Sequence, residues 1–260
     1  MRIPAVLVLF LTIAAPALAQ APAPAKAPAP AQGAHWDYYG KTGPLGWGHL
    51  DPAYHLCADG KEQSPIDIRG AKLNKALPPI EFHYMAAAVE VENTGEGVLI
   101  HVKPGSYIVL DGVRYDLLQF HFHHPSEEAV NGKLADMSAH LVHKSASGKL
   151  AVIAVRLSQA QGDPNAVMAS LWQHLAKQAG QTDKDPDMIN PGGLLPGDRG
   201  YWTYEGSLTT PPCTEGVRWF VMENTVSVSR DQVRAFEALG YRVDSRPLQN
   251  RNGRKIEANE

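Results

Sequence analysis

Apolar and polar residues alternate with a period of two through the middle of the chain, which is typical of β-strands that bury one face. Val89-Glu-Val-Glu92 is the clearest example, and Asp111-Gly112 and Asn131-Gly132 mark turns between later apolar runs. On this pattern we predict strands at 89–92, 98–102, 107–110, 113–123, 137–143, 150–157 and 217–222. The chain is therefore predicted to be mainly β, of the α+β class.

Only two segments have helical spacing. Residues 165–177 place apolar residues three to four apart after an Asp163-Pro164 start signal, and residues 230–239 form a second short pattern. Residues 36–61 are rich in glycine, proline and aromatic residues and predict an irregular lobe, and 192–212 reads as loop. No internal repeat is visible, so we expect one β-dominated domain with a few short helices.

The N-terminus has the composition of an export signal. Arg2 precedes an apolar stretch, and Ala17-Leu18-Ala19 matches a small-residue cleavage site. We therefore predict a signal peptide at 1–19, an Ala/Pro-rich linker at 20–34 and a domain at 35–260, in a periplasmic or secreted protein. An uncleaved anchor is the alternative, but the apolar stretch is short for a membrane span, and no later segment looks membrane-spanning.

The net charge bears on the possible binding partners, and the cysteine content bears on the cellular compartment. The formal net charge of -3 offers no electrostatic basis for binding nucleic acid. The two cysteines, Cys57 and Cys213, are expected to pair in an exported protein, although two free buried thiols remain the alternative.

A candidate metal site begins on the predicted strand at 113–123. Alternate side chains of a strand share a face, so Gln119, His121 and His123 are expected to point the same way. The opposite face, directed into a core, would carry Leu118, Phe120 and Phe122. Two imidazoles two residues apart on a rigid strand can reach one metal ion, and a third ligand must come from a neighbouring strand.

His140 is the natural third ligand. The intervening loop allows the strand at 137–143 to lie antiparallel beside the first, with His140 on the metal face, His143 on the other face and His124 directed away. Three neutral imidazoles with an open fourth position are typical of catalytic zinc, which lowers the pKa of bound water from about 15.7 to about 7. The sequence thus predicts Zn²⁺ as cofactor.

Further motifs resemble the alpha carbonic anhydrases along most of the chain, from about Trp36 to Arg254. They are Gln63-Ser-Pro-Ile66, Gln119-Phe-His-Phe-His123, His140-Leu-Val-His143, Tyr201-Trp-Thr-Tyr204, Ser207-Leu-Thr-Thr-Pro-Pro212 and Val217-Arg-Trp-Phe220. The resemblance implies a single domain with a central, mostly antiparallel, twisted β-sheet and zinc at the base of a conical cleft. It also implies reversible hydration of carbon dioxide to bicarbonate and a proton by a zinc-bound hydroxide.

The same resemblance implies roles for individual residues. Thr209 would accept a hydrogen bond from the hydroxide and donate its own proton to Glu127, while Thr210 would line the wet side with Tyr38. The carbon dioxide would lie against an apolar wall of Val142, Val152, Leu208 and Trp219, and Cys57 and Cys213 would form the disulfide seen in bacterial members. Ordinary core packing is the alternative interpretation of the four apolar residues, and turn formation that of the two threonines.

Three positions depart from the family pattern. Glu96 follows Asn93-Thr-Gly95, where the family's proton-shuttle histidine is expected, so we predict slower proton export; a solvated carboxylate without a role is the alternative. Gln119 is the expected partner of His121.

The second departure concerns His140, whose expected partner two residues earlier is Ser138 instead of the family's glutamate, which predicts weaker metal retention. The third departure concerns support for the hydrogen-bond network near Glu127. Glu128 stands at a family histidine position beside Glu127.

An active carbonic anhydrase is the predicted function, because all three ligands, Thr209 and Glu127 are present. A non-catalytic zinc-binding module of the same family is the alternative, and ester hydrolysis would be a side activity. The predicted partners are carbon dioxide and bicarbonate, and the resemblance to bacterial members is compatible with a homodimer.

Overall fold

The computed structural model describes residues 33–159 and 163–260. The chain from Gly33 to Glu260 forms one compact unit. The predicted signal peptide at 1–19, and the predicted linker up to residue 32, lie outside the described residues. Within the described ranges, no helix combines the length and the apolar character needed to cross a bilayer.

Strands dominate the described residues, and helices are few and short. The strands are β1 Asp67–Ile68, β2 Lys72–Leu73, β3 Glu81–His83, β4 Ala87–Asn93, β5 Val98–Val102, β6 Tyr107–Leu110, β7 Val113–His123, β8 Ala129–Val130, β9 Lys133–Leu134, β10 Met137–Ser145, β11 Leu150–Ser158, β12 Gln181–Ile189, β13 Tyr201–Ser207, β14 Glu215–Met222, β15 Val226–Ser227 and β16 Glu257–Ala258. The α-helices are α1 Leu56–Asp59, α2 Ala166–Leu171 and α3 Arg230–Glu237, and 3-10 turns span Gly40–Thr42, Trp47–His49, Pro52–Tyr54, Trp172–His174 and Pro191–Leu194.

One large sheet organises the molecule. In the part of the chain that is described it has thirteen strands, and its main path runs β12-β4-β5-β7-β10-β11-β14-β13-β16-β2. The strands β5, β7, β10 and β11 pair antiparallel in the middle, whereas β11 pairs parallel with β14, and β16 with β2. The predicted β-rich fold with a mostly antiparallel sheet is confirmed. The sheet is mixed because the pairs β11–β14 and β16–β2 are parallel.

Side chains of the central strands alternate between two faces with different contents. Phe120, Leu141 and Ile153 belong to the larger apolar core, to which α2 and α3 add side chains. His121 and His140 point to the opposite face, where a smaller apolar cluster lies. The central strands thus hold one face in a rigid core and present the other to a cleft.

The prediction that Leu118 points into the core is wrong. The register between β7 and β10 shifts by one residue, since Val142 pairs with Gln119 and His143 pairs with Leu117. Leu118 is the extra residue, and its side chain is 45% exposed while Leu117 is buried. A bulge of one residue exchanges the faces of all residues before it, which simple alternation cannot anticipate.

Two strands of seven or more residues were not predicted, besides several strands of two or three residues. β13 lies inside the segment 192–212 that reads as loop, and β12 covers Gln181–Ile189, a polar segment containing Pro186. β12 is an edge strand, paired only with β4 among the described residues. Polar composition and proline are tolerated at a sheet edge, so the sequence of β12 carries little strand signal.

The predicted helices exist, but both end early. α2 begins after Asn165, whose side chain accepts a hydrogen bond from the N–H of Met168, and tightens into a 3-10 turn at Trp172–His174. α3 starts with a capping box between Ser229 and Gln232. The predicted irregular lobe at 36–61 is confirmed as 3-10 turns and the short α1.

A disulfide joins this lobe to the loop that follows β13. Cys57 and Cys213 are bonded across a sequence separation of 156 residues, which confirms the predicted pair. Cys213 lies four residues after Thr209, so the bond anchors the loop that carries both threonines of the predicted site.

Replacing Cys57 and Cys213 together by serine is expected to lower the free energy of unfolding by about 4–5 kcal/mol, because the long closed loop restricts the unfolded chain. Urea unfolding of the oxidised protein and the double variant measures the difference. Wild type unfolded under reducing conditions is the matched control and should lose a similar amount. Equal stability of the variant and the oxidised wild type would contradict the prediction.

Candidate metal centre

The three predicted histidines meet at the centre of the sheet. His121 and His140 are directly opposite each other in the β7–β10 pair, and His123 lies two residues further along β7, opposite Ser138. One ligand atom from each of the three rings lies within 4.8 Å of the others. A strand pair of fixed register therefore supplies the whole cluster.

On β7, each imidazole has one nitrogen bound to an acceptor outside the cluster. Nδ1 of His121 lies 2.8 Å from Oε1 of Gln119, and Nδ1 of His123 lies 2.8 Å from the backbone oxygen of Asp244. A carbonyl oxygen can only accept, so Nδ1 must donate and Nε2 keeps its lone pair. The Nε2 atom of His123 is buried without a hydrogen-bond partner among the described residues.

His140 presents its nitrogens in the opposite sense. Its Nε2 lies 2.8 Å from Oε1 of Glu128, and Nδ1 remains on the side of Glu127. The hydroxyl of Ser138, the partner expected from the sequence, is farther from the same Nε2, at 3.5 Å. All three rings thus leave one nitrogen for a common ligand, which is the arrangement that a metal ion needs.

The protonation of the β7 pair suits metal binding. Burial, with a smaller contribution from the charge of His140, lowers the pKa of His121 to about 3. Burial also lowers the pKa of His123 well below its ordinary value. Both rings are therefore neutral near pH 7, as ligands of a zinc ion must be. The orphaned Nε2 of His123 and the all-imidazole donor set fit zinc.

The pKa of His140 moves in the opposite direction. Burial lowers it, but the charge and hydrogen bonding of Glu128 and the charge of Glu127 outweigh burial, and the pKa is raised. A cation on Nδ1 competes with the proton and favours the neutral ring.

Glu127 lies fully buried next to the cluster. Its Oε1 accepts the backbone N–H of Arg246 at 2.8 Å, and its Oε2 lies 3.6 Å from Nε2 of His123. Burial raises the pKa of Glu127 to about 7, and the charge of Glu128 adds to this, while the charge of His140 and hydrogen bonding from Arg246 and Thr209 act against it. A cation held by the histidines would stabilise the ionised carboxylate.

A cavity of about 250 Å³ opens above His121 and His123. Its lining includes Tyr38, Glu96 and Thr210. Oε1 of Glu96 lies 4.0 Å from Nδ1 of the exposed His35. The cavity therefore connects the histidines with the predicted shuttle position and with the two groups expected on the wet side.

The four residues of the predicted apolar wall lie together. Val142, Val152 and Trp219 belong to the smaller apolar cluster on the histidine face, and Leu208 packs against it. The indole of Trp219 contacts His140 edge-on with 5.0 Å between ring centroids, and its Nε1 donates to the backbone oxygen of Ser207. An apolar surface thus adjoins the metal cluster on the side of His140.

Three groups of the site were not predicted in their observed roles: Glu128 beside His140, the Asp244 backbone oxygen beside His123, and the Arg246 N–H on Glu127. Backbone contacts across more than a hundred residues leave no local sequence signal. Glu128 did carry a sequence signal, because it stands at a family histidine position beside Glu127.

Comparison with known proteins gives one family. The model of the eukaryotic-type carbonic anhydrase family matches residues 42–260. A carbonic anhydrase of Klebsiella pneumoniae is 39% identical over 225 residues, covering 86% of this chain and 90% of the relative, and one of Pectobacterium carotovorum is 37% identical over 222 residues, covering 85% and 90%. The structure of the alpha-carbonic anhydrase of Thermovibrio ammonificans with the inhibitor sulfanilamide superposes with a TM-score of 0.83 at 41% identity, over 87% of this chain and 100% of that chain.

His123, the last residue of β7, and the adjacent His124 allow a matched test of the cluster. His123→Ala is expected to abolish stoichiometric zinc binding, because it removes one of the three ligands. His124→Ala should bind zinc as the wild type does, because the His124 ring contacts the Asp136 backbone oxygen at 2.7 Å and Glu237 at 3.0 Å instead. Elemental analysis after dialysis against zinc measures both. Retention of one zinc ion per chain by His123→Ala would contradict the assignment.

Proposed function

The chain belongs to the eukaryotic-type, or alpha, carbonic anhydrase family, and we propose that it hydrates carbon dioxide reversibly to bicarbonate and a proton at a zinc ion held by His121, His123 and His140. One observation carries this proposal most directly. Each of the three imidazoles has one nitrogen 2.8 Å from an oxygen outside the cluster, and the ligand atoms converge within 4.8 Å. Zinc, when bound, supplies a Lewis acid that brings the pKa of water from about 15.7 to about 7.

Thr209 and Glu127 would orient the attacking oxygen. Glu127 as a carboxylate can only accept, so the Thr209 hydroxyl would donate to it and keep a lone pair for the nucleophile. The Arg246 N–H on Oε1 holds the Glu127 side chain in place. An oriented nucleophile avoids the entropic cost of finding the attack geometry in solution.

Val142, Val152, Leu208 and Trp219 would form the surface for carbon dioxide. The substrate is small and apolar, and these side chains cluster beside His140. An apolar surface binds the substrate and disfavours competing water, whereas Thr210 on the polar side of the cavity suits the bicarbonate product.

The decisive experiment measures zinc content and stopped-flow carbon dioxide hydration on the same purified sample. We expect about one zinc ion per chain, hydration that a zinc chelator abolishes, and recovery on adding zinc back. Full zinc occupancy without hydration would contradict the proposal and favour a zinc-binding module without catalysis.

Glu96 would relay the product proton out of the cavity. Its carboxylate lies in the cavity lining together with Tyr38 and Thr210. A glutamate ordinarily titrates near 4.3 and an imidazole near 6.5, so a carboxylate is a weaker acceptor for a proton from a group with pKa near 7. Proton export is therefore proposed to limit turnover when buffer is scarce.

Glu96→His is expected to raise turnover in dilute buffer about tenfold, because an imidazole is ordinarily a stronger base than a carboxylate by about two pKa units and proton transfer follows Brønsted behaviour. Concentrated buffer should remove the difference between the two proteins. Glu96→Gln is the matched control without a titratable group and should be slower than wild type in dilute buffer. Equal rates for all three proteins in dilute buffer would leave Glu96 as a solvated carboxylate.

We also propose that the chain acts outside the cytoplasm, in the periplasm or the medium. The leader-like composition of residues 1–19 and the Cys57–Cys213 bond support this location, since disulfides persist in oxidising compartments.

A further inference from the structure

We propose that Glu128 is the positioning residue of His140: its carboxylate, and not the Ser138 hydroxyl, fixes the imidazole so that Nδ1 faces the metal. This inference rests on the proposed zinc site and concerns how this chain holds its third ligand.

The distances distinguish the two candidate partners. Oε1 of Glu128 lies 2.8 Å from Nε2 of His140, whereas Oγ of Ser138 lies 3.5 Å away. The Ser138 hydroxyl oxygen already accepts the backbone N–H of Glu127 at 3.3 Å. The Glu128 oxygen is both the closer group and a charged one, so it has the stronger electrostatic interaction with Nε2.

The contact determines which imidazole nitrogen is free. A carboxylate has no proton to donate, so Nε2 carries the hydrogen and Nδ1 carries the lone pair that the metal requires. Both side chains are buried, and neither Glu128 oxygen meets the geometry of a hydrogen bond to any group in the described ranges, so the 2.8 Å approach of Oε1 to Nε2 is an ion-pair contact. In that part of the chain, the carboxylate forms no second ion pair.

The backbone of Glu128 is fixed independently of the metal. The Ser126 hydroxyl donates to the Glu128 backbone oxygen at 2.9 Å, and Ala129 begins β8, which pairs with β1. The side chain therefore reaches His140 from a braced loop instead of from the ligand's own strand.

The small side chain at position 138 belongs to the same arrangement. Ser138 is fully buried beside His140, and a carboxylate there would approach the same Nε2 as Glu128. Two carboxylates at one imidazole repel each other in a buried site. Arg156, the β11 partner of Ser138, adds a favourable electrostatic interaction with Glu128. One carboxylate on the loop and a small residue on the strand thus act as a pair.

The test compares zinc release to an excess of chelator from wild type, Glu128→Ser, Glu128→Gln, Ser138→Ala and the exchange variant Glu128→Ser/Ser138→Glu. We expect Glu128→Ser to release zinc about 10–100-fold faster, since loss of such a partner weakens metal binding by that factor. Glu128→Gln keeps an accepting oxygen and should fall between. Ser138→Ala should match wild type, and the exchange variant should recover most of the loss by returning a carboxylate to His140.

A spectroscopic readout accompanies the rates. With ¹⁵N-labelled histidine, the Nε2–H proton of His140 in the zinc-loaded protein should be protected from exchange in wild type, Glu128→Gln and the exchange variant. In Glu128→Ser its exchange should be faster.

Each result decides the inference. It is overturned if both Glu128 variants release zinc at the wild-type rate, if Ser138→Ala is as fast as Glu128→Ser, or if the exchange variant recovers nothing. If Glu128→Ser does not fold, Glu128→Gln and Ser138→Ala carry the same comparison. Wild type that binds no zinc would refute the proposed function itself, whereas zinc-loaded wild type with insensitive Glu128 variants refutes this inference alone.

Discussion

The pairing of β7 with β10 is the constraint on which the site depends. Its register sets His140 directly opposite His121, and strand alternation adds His123 on the same face. A slip of one residue on either strand would turn a ligand into the core, so the register is specified twice, by the apolar face and by the metal face. The bulge at Leu118 lies outside the ligand segment and leaves this register intact.

The buried carboxyl groups around the histidines explain why a dication suits this centre. Glu127 and Asp244 both have pKa values raised mainly by burial, to about 7 for Glu127 and well above the ordinary value for Asp244. Arg246 lies nearby, but its guanidinium donates to the Gln63 side chain and to backbone oxygens, including that of Cys57. A divalent cation would add the positive charge that keeps these acids ionised.

The sequence predicted what depends on local periodicity and missed what depends on distant contacts. His121, His123 and His140 followed from alternation along two strands, and these rings meet as expected. The bulge at Leu118 and the polar edge strand β12 did not follow, because their conformation is set by neighbouring strands.

The groups that contact the second nitrogen of each histidine also differ in whether they are local or distant in the sequence. Gln119 lies on the same strand as His121, so alternation alone brings its amide to Nδ1. The partner of His123 is a backbone oxygen 121 residues away, and that of His140 comes from the loop between β7 and β8. Any residue type can supply a backbone acceptor, so the amino-acid sequence does not reveal it. A side chain from a loop can also take the place of a strand side chain beside the same imidazole nitrogen. The identity of the metal ligands can therefore be predicted from strand patterns. The orientation of each ligand ring depends instead on which atom contacts its second nitrogen.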